Sequence, residues 1–153
     1  MMKLCYDVLK ALEGRTLCTA ESLTGGGIGA ALTSVPGASK VFKGGVISYT
    51  DEVKREVLGV SAADLSAFGA VSAPVAEAMA RGVRELLKAD VAVSVTGLAG
   101  PDGDEFGHEV GTVFIGYSDE KTLLVREFHF SGDREAVRTQ TIESALQLIL
   151  ETL

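Results

Sequence analysis

Residues 89–97 read ADVAVSVTG, a run of valines alternating with mostly small residues and free of charge after Asp90. Such a run reads as a buried strand, and a buried strand needs cover on both faces. The rest of the chain supplies that cover. Residues 2–13 read as a helix ending at Gly14, 25–34 as a helix stopped by Pro36-Gly37, and Asp51 to Leu58 as a short helix with acids in its first turn. SAADLSAF is another short helical turn. Ser72 is placed to cap a helix running to about Lys88, with Pro74 in its first turn, and Asp133 opens a long amphipathic helix to the end. Between these lie strands at 16–21 and in KVFKGGVISYT, the latter interrupted at Gly44-Gly45 as by a bulge. Two more, VGTVFIGYS and TLLVREFHF, are joined by DEK as a hairpin. Early strands separated by helices, followed by a hairpin, specify an α/β fold: a mixed sheet with helices on both faces.

The 153 residues correspond to one domain, spanning 1–153. Fourteen Lys+Arg against 21 Asp+Glu give a net charge of −7, which argues against a nucleic-acid or anionic-membrane partner. No apolar run approaches about 18 residues, and the amphipathic N-terminus is no signal peptide, so a cytoplasmic location is expected. Cys5 and Cys18 form no framework and are expected as buried free thiols.

In sheets of this kind ligands gather where strand ends meet helix starts. Three segments have that character. In AESLTGGGIGA, residues 20–30, Ser22 and Thr24 stand at the entrance of a helix. Free N–H groups and the helix dipole there would suit an oxyanion, and Gly25 and Gly26 would let a substrate approach the backbone. Ser22 is thus a candidate nucleophile; the alternative is that Ser22 or Thr24 merely caps the helix. The same stretch fits G-x-G-x-x-A through Gly25, Gly27 and Ala30, a dinucleotide pattern. The acid expected at the end of the next strand is missing, because Tyr49 stands there. No lysine follows, as a phosphate-binding P-loop would require.

The second segment, SYTDEVK, places Tyr49 at a strand end and Lys54 in the next helix. A serine nucleophile needs a base. His108 lies in a polar loop and His129 inside FHF, neither with an evident orienting partner, so a Ser-Lys pair is the alternative, provided Lys54 is desolvated. Ser118-Asp119-Glu120-Lys121 also spells S-x-x-K but falls in the hairpin turn. The third segment, SVTGLAGPDGD, runs a strand through Thr96 and Gly97 into Ala99 and Gly100, a loop able to form an anion nest. On the last helix, Ala145, Ile149, Ile142, Leu153 and Leu146 form one stripe that contains Arg138, with Arg134 at its edge. A core-facing arginine needs an anion: a protein carboxylate, or a ligand phosphate or carboxylate. DGDEFGH breaks the calcium-loop pattern and is read as an acidic loop, with no metal expected.

AESLTGG, GGVISYTDEVK, GAVSAPVAEAMARG, VTGLAGPDG, VGTVFIG and SGDREAVR, in this order from about Thr19 to Arg138, resemble the CinA C-terminal domain family. That family includes the nicotinamide-mononucleotide deamidases. The resemblance implies a three-layer α/β/α sandwich with a mixed, mostly parallel sheet, similar to anticodon-binding-type domains. It implies hydrolysis of the carboxamide of nicotinamide mononucleotide to nicotinate mononucleotide and ammonia, in pyridine-nucleotide salvage, without metal or organic cofactor. It makes Ser22, Tyr49 and Lys54 the catalytic residues, with Lys54 taking the serine proton directly or through Tyr49. Around the substrate it is consistent with Thr24, Gly25, Gly26, Thr96, Gly97, Ala99 and Gly100, and with Arg134 or Arg138 on the phosphate. It further implies a homodimer. Many relatives carry an added N-terminal domain resembling molybdopterin-binding proteins, which this chain is expected to lack. His108-Glu109 stands where the family often has Lys-Pro, a departure that bears on substrate preference. Two other readings use the same residues: a non-catalytic mononucleotide-binding module, and a dinucleotide-dependent oxidoreductase.

Overall fold

The structure, a computed structural model, describes residues 1–153. Six helices are α1 (Met2–Ala11), α2 (Gly27–Thr33), α3 (Asp51–Leu58), α4 (Ala62–Phe68), α5 (Ala73–Leu87) and α6 (Arg134–Thr152). Five strands are β1 (Leu17–Glu21), β2 (Phe42–Ile47), β3 (Val91–Gly97), β4 (Thr112–Ser118) and β5 (Leu123–His129). They form one sheet in the order β2-β1-β3-β4-β5. β1 pairs parallel with both β2 and β3, and β4 is antiparallel to β3 and β5, so four strands run one way and β4 runs against them. This is the expected mixed sheet.

The pleat explains the layers. Leu17, Val91, Val93, Val95, Val113 and Ile115 point to one face, where they pack with α1, α2 and α6 in the larger core. Cys18, Ala20 and Ala92 point to the other, where they meet α3, α4 and α5. Large side chains therefore face one layer and small ones the other. The small face lets α5 lie close to the sheet: Ser94 Oγ donates to the Ala76 carbonyl at 2.7 Å. On its far side α5 is approached as closely by α3, because a Cβ added at Gly82 would lie 2.0 Å from the Leu58 carbonyl oxygen.

The anticipated irregularity in β2 is real: Leu17 faces Phe42 while Cys18 faces Gly44, so Lys43 is the extra residue. Cys5 and Cys18 are free and buried, and burial pushes the Cys18 thiol up to about 12. No helix is long and apolar enough to cross a membrane. Three details differ from expectation. The second helix starts at Gly27, since the preceding glycines are spent on a turn. Ser72 stands at the N-cap of α5, but its hydroxyl donates to the Gly69 carbonyl. On α6 the buried arc is wider than the predicted stripe: Val137, Thr141 and Leu148 are buried and Leu153 is exposed, because α6 packs on α1 as well as on the sheet.

Gly82 gives a test of this packing. Alanine at a helix interior is worth about 1 kcal/mol over glycine. Here its methyl would meet backbone that cannot swing aside, and overpacking costs about 1–3 kcal/mol. Gly82→Ala is expected to lower stability in denaturant titration despite its better helix propensity; a stabilised variant would refute the close α3–α5 approach.

Candidate active site

From β1 the chain crosses through α2 to β2 on one side, and β3 lies on the other side, with its connecting helices on the opposite face. The carboxyl end of β1 is thus the point where the strand order diverges, the usual position of a ligand crevice. Ser22 occupies it. Its N–H donates to Val95 of β3 at 3.1 Å, while Ser48 of the β2 end donates its N–H to Glu21 at 2.8 Å. The serine is held between both neighbours and is 7% exposed.

Lys54 reaches this point from α3. Thr50 caps the helix by accepting from the Val53 N–H, and Asp51 and Glu52 fill the first turn. The Lys54 side chain is 1% exposed. Its Nζ lies 3.0 Å from Ser22 Oγ, 2.8 Å from the Ser48 carbonyl and 3.3 Å from the Tyr49 carbonyl. No carboxylate lies within ion-pair distance of it. Burial lowers its pKa from 10.5 to about 8, with Asp51 acting weakly in the opposite sense.

The partners decide what the neutral amine can do. Carbonyl oxygens only accept, so two N–H bonds stay on Ser48 and Tyr49. The lone pair is left for the one neighbour with a proton to give, the Ser22 hydroxyl. Lys54 therefore contacts Ser22 directly. The alternative route through the Tyr49 ring is not the one formed: the Tyr49 phenol oxygen accepts from Arg134 Nη2 at 3.2 Å and the residue is 58% exposed.

Glu21, which the sequence reading passed over, organises the turn after Ser22. Its buried carboxylate accepts from Thr24 Oγ1 (2.6 Å), Ile28 N–H (2.8 Å), Gly29 N–H (3.0 Å) and Thr19 Oγ1 (3.3 Å). The start of α2 is thus capped by the protein's own carboxylate and is not free for an oxyanion. Gly25 and Gly26 adopt φ of +59° and +98°, which side-chain-bearing residues rarely take, and they turn the chain into α2. Thr24, Gly25 and Gly26 do not line the cavity beside the site; the Thr24 hydroxyl and the two glycines shape this turn. The turn leaves open the N–H groups of Leu23, Thr24 and Gly26, none of which has an acceptor in the chain, and the first two directly follow Ser22.

That cavity has a volume of about 650 Å³. Thr96, Gly97, Ala99 and Gly100 line one side, with Arg134 beside them. Leu23, Tyr49 and Asp51 line the side next to the serine. Ser22 and Lys54 lie immediately behind this second wall: Ser22 precedes Leu23, and Lys54 is bonded to the Tyr49 carbonyl. Asp102, Asp104 and Glu105 make the remaining lining acidic, and Phe106 packs over Gly69 to close the far end. Arg134 donates to the Gly100 carbonyl at 2.6 Å. The Thr96 hydroxyl is committed to the Ala70 carbonyl at 2.8 Å.

Two expectations need correction. Arg138 binds neither a carboxylate nor the cavity; it donates to the Leu23 and Thr24 carbonyls at 3.0 and 3.2 Å. Both histidines do have acidic partners, His108 with Asp104 at 2.7 Å and His129 with Glu127 at 2.6 Å, but neither reaches Ser22. Ser48 Oγ, unremarked in the sequence, is buried without a hydrogen-bond partner beside Lys54.

The buried amine has a thermodynamic signature. The folded protein releases the Lys54 proton near pH 8, the unfolded chain near 10.5, so between these values the unfolded state holds more protons and stability rises with pH. The full difference is about 3 kcal/mol, lost again below pH 8. Denaturant titrations at pH 7 and pH 10 should show wild type gaining about 2 kcal/mol relative to Lys54→Met; a pH-independent difference between the two would mean that Lys54 is not perturbed.

Comparison with known proteins matches this geometry to a family. Residues 2–153 match the CinA C-terminal domain. A competence-damage inducible protein of Bacillus subtilis (strain 168) is 48% identical over 141 residues, covering 92% of this chain and 34% of that protein. A CinA-like protein of Geobacter sulfurreducens is 45% identical over 141 residues, covering 92% and 34%. The chain thus spans about a third of the length of these curated relatives. Among solved structures, the competence damage-inducible protein A of Klebsiella pneumoniae superposes with a TM-score of 0.96 at 36% identity, covering 99% of this chain and 95% of that one. A CinA superfamily protein of Escherichia coli superposes with 0.97 at 34% identity, covering 99% and 90%. The chain belongs to the CinA C-terminal domain family.

Proposed function

We propose that this domain is a serine amidase that hydrolyses the carboxamide of nicotinamide mononucleotide. The observation that carries the reading is the 3.0 Å contact between Ser22 Oγ and a buried Lys54 amine whose pKa is lowered to about 8. A lysine that only stabilised the fold would not be held beside a hydroxyl with no counter-charge. A module that only bound nucleotide would gain nothing from it.

In this reading neutral Lys54 takes the Ser22 proton as Oγ attacks the amide carbon. The carbonyl oxygen becomes an oxyanion facing the Leu23 and Thr24 N–H groups. Collapse breaks the C–N bond, and Lys54 returns the proton to the leaving ammonia. Water, deprotonated by the same amine, attacks the acyl-serine ester and releases the acid and Ser22. The acidic lining from Asp51, Asp102, Asp104 and Glu105 suits the positive charge of a pyridinium ring. Arg134 and the Ala99 and Gly100 N–H groups, which have no acceptor in the chain, suit the phosphate. Tyr49 carries the lysine through its carbonyl and Arg134 through its phenol, a bridging role between the two halves of the site.

Purified protein is expected to release ammonia from nicotinamide mononucleotide. Ser22→Ala should abolish release, and Lys54→Met should reduce it about a thousandfold. The logarithm of kcat/KM should rise with unit slope up to about pH 8 and then level off, because only the neutral amine is competent. Tight binding of the mononucleotide with no ammonia from folded wild-type protein would assign the chain to the non-catalytic reading.

A further inference from the structure

Resting on Ser22 as the nucleophile, we infer that Arg138 is a positioning residue for oxyanion stabilisation, acting through the Leu23–Thr24 peptide group rather than on a substrate phosphate. Arg138 extends from α6 to the turn that follows Ser22, and its Nε donates to the Leu23 carbonyl at 3.0 Å. That carbonyl belongs to the same peptide unit as the Thr24 N–H. A cationic donor on the oxygen of a peptide polarises the unit and strengthens its N–H as a donor. The Thr24 N–H has no acceptor in the chain, and neither does that of Leu23. Nη2 donates to the next carbonyl, Thr24, at 3.2 Å. The N–H of that second peptide, on Gly25, closes the turn onto the Ser22 carbonyl at 3.1 Å.

The turn is therefore held by opposite charges. Glu21 fixes it through the Thr24 hydroxyl and the start of α2, and Arg138 fixes it through two carbonyls. The guanidinium forms no ion pair with a carboxylate, and its hydrogen bonds go to the two carbonyls of the turn. A preorganised positive field beside a developing oxyanion lowers the barrier without strengthening substrate binding. Arg134 is the contrasting case: it lines the cavity, and Arg138 does not.

The test uses Arg138→Met and Arg138→Lys with two readouts. The first is steady-state hydrolysis of nicotinamide mononucleotide and of the corresponding riboside without phosphate. The second is the rate of Ser22 labelling by a fluorophosphonate, in which the Oγ–P bond forms, fluoride leaves and the serine proton passes to Lys54. Arg138→Met is expected to lower kcat about a hundredfold on both substrates with KM within twofold, and to slow labelling in parallel. Arg138→Lys, still able to reach one carbonyl, should recover part of both. A rise in KM confined to the phosphorylated substrate, with kcat and labelling rate intact, would overturn the inference and make Arg138 a phosphate ligand. If Arg138→Met fails to fold, Arg138→Lys decides by the same split. Wild-type protein that takes the label at an Arg138-dependent rate but releases no ammonia keeps the inference and removes the proposed substrate. Wild-type Ser22 that takes no label overturns both.

Discussion

Burying the Lys54 amine against Ser22 and two backbone carbonyls is the interaction on which the site depends. An ammonium group removed from water is costly unless it is paired, and here no carboxylate pairs it. The cost is met by geometry. Two of its acceptors are carbonyls on the chain leaving β2, so the polar demand is satisfied by backbone whose place is set by the sheet. The same desolvation that opposes folding produces an amine with a useful neutral fraction near physiological pH.

Holding that amine in place draws on the whole second layer. α3 ends in a glycine cap, and the Val60 N–H returns to the Lys54 carbonyl at 3.1 Å. The C-terminal end of α3 presses on α5 at Gly82, and α5 presses on a sheet face built from alanine, serine and cysteine. Ser22 is fixed from the other layer, through Glu21 at the start of α2 and Arg138 from α6. Each member of the pair is thus secured by a different face of the sheet, and they meet at its edge-on divide.

Much of this was legible in the residues. Strand patterning and helix punctuation placed the helices and strands; with the histidines unsuited, a Ser22–Lys54 pair stayed open, and the family resemblance made it the expectation. The turn chemistry was less legible, for a physical reason. A helix start beside a serine can be satisfied by a ligand or by a nearby carboxylate, and sequence spacing does not say which. Glu21 sits one residue before Ser22 in a buried strand, where its seven-residue reach to Ile28 is visible only after the chain has folded back. Arg138 was read as needing an anion and instead meets two neutral backbone carbonyls, because the helix stripe carries no sign of residues more than 110 positions away. Ser48 and the direct Lys54 contact depend likewise on how the β2 end passes β1, which the bulge at Lys43 adjusts by one residue.

The 98–111 segment furnishes much of the cavity wall, including three of its four acids, yet contributes no atom to the Ser22–Lys54 pair or to the turn that carries it. The Ser22–Lys54 pair and the cavity mouth are therefore physically separable. Changes in this connector can reshape the mouth while the pair stays anchored in the layers below. The architecture is in that sense modular: a fixed polar pair beneath an exchangeable rim that a single loop replacement would remodel.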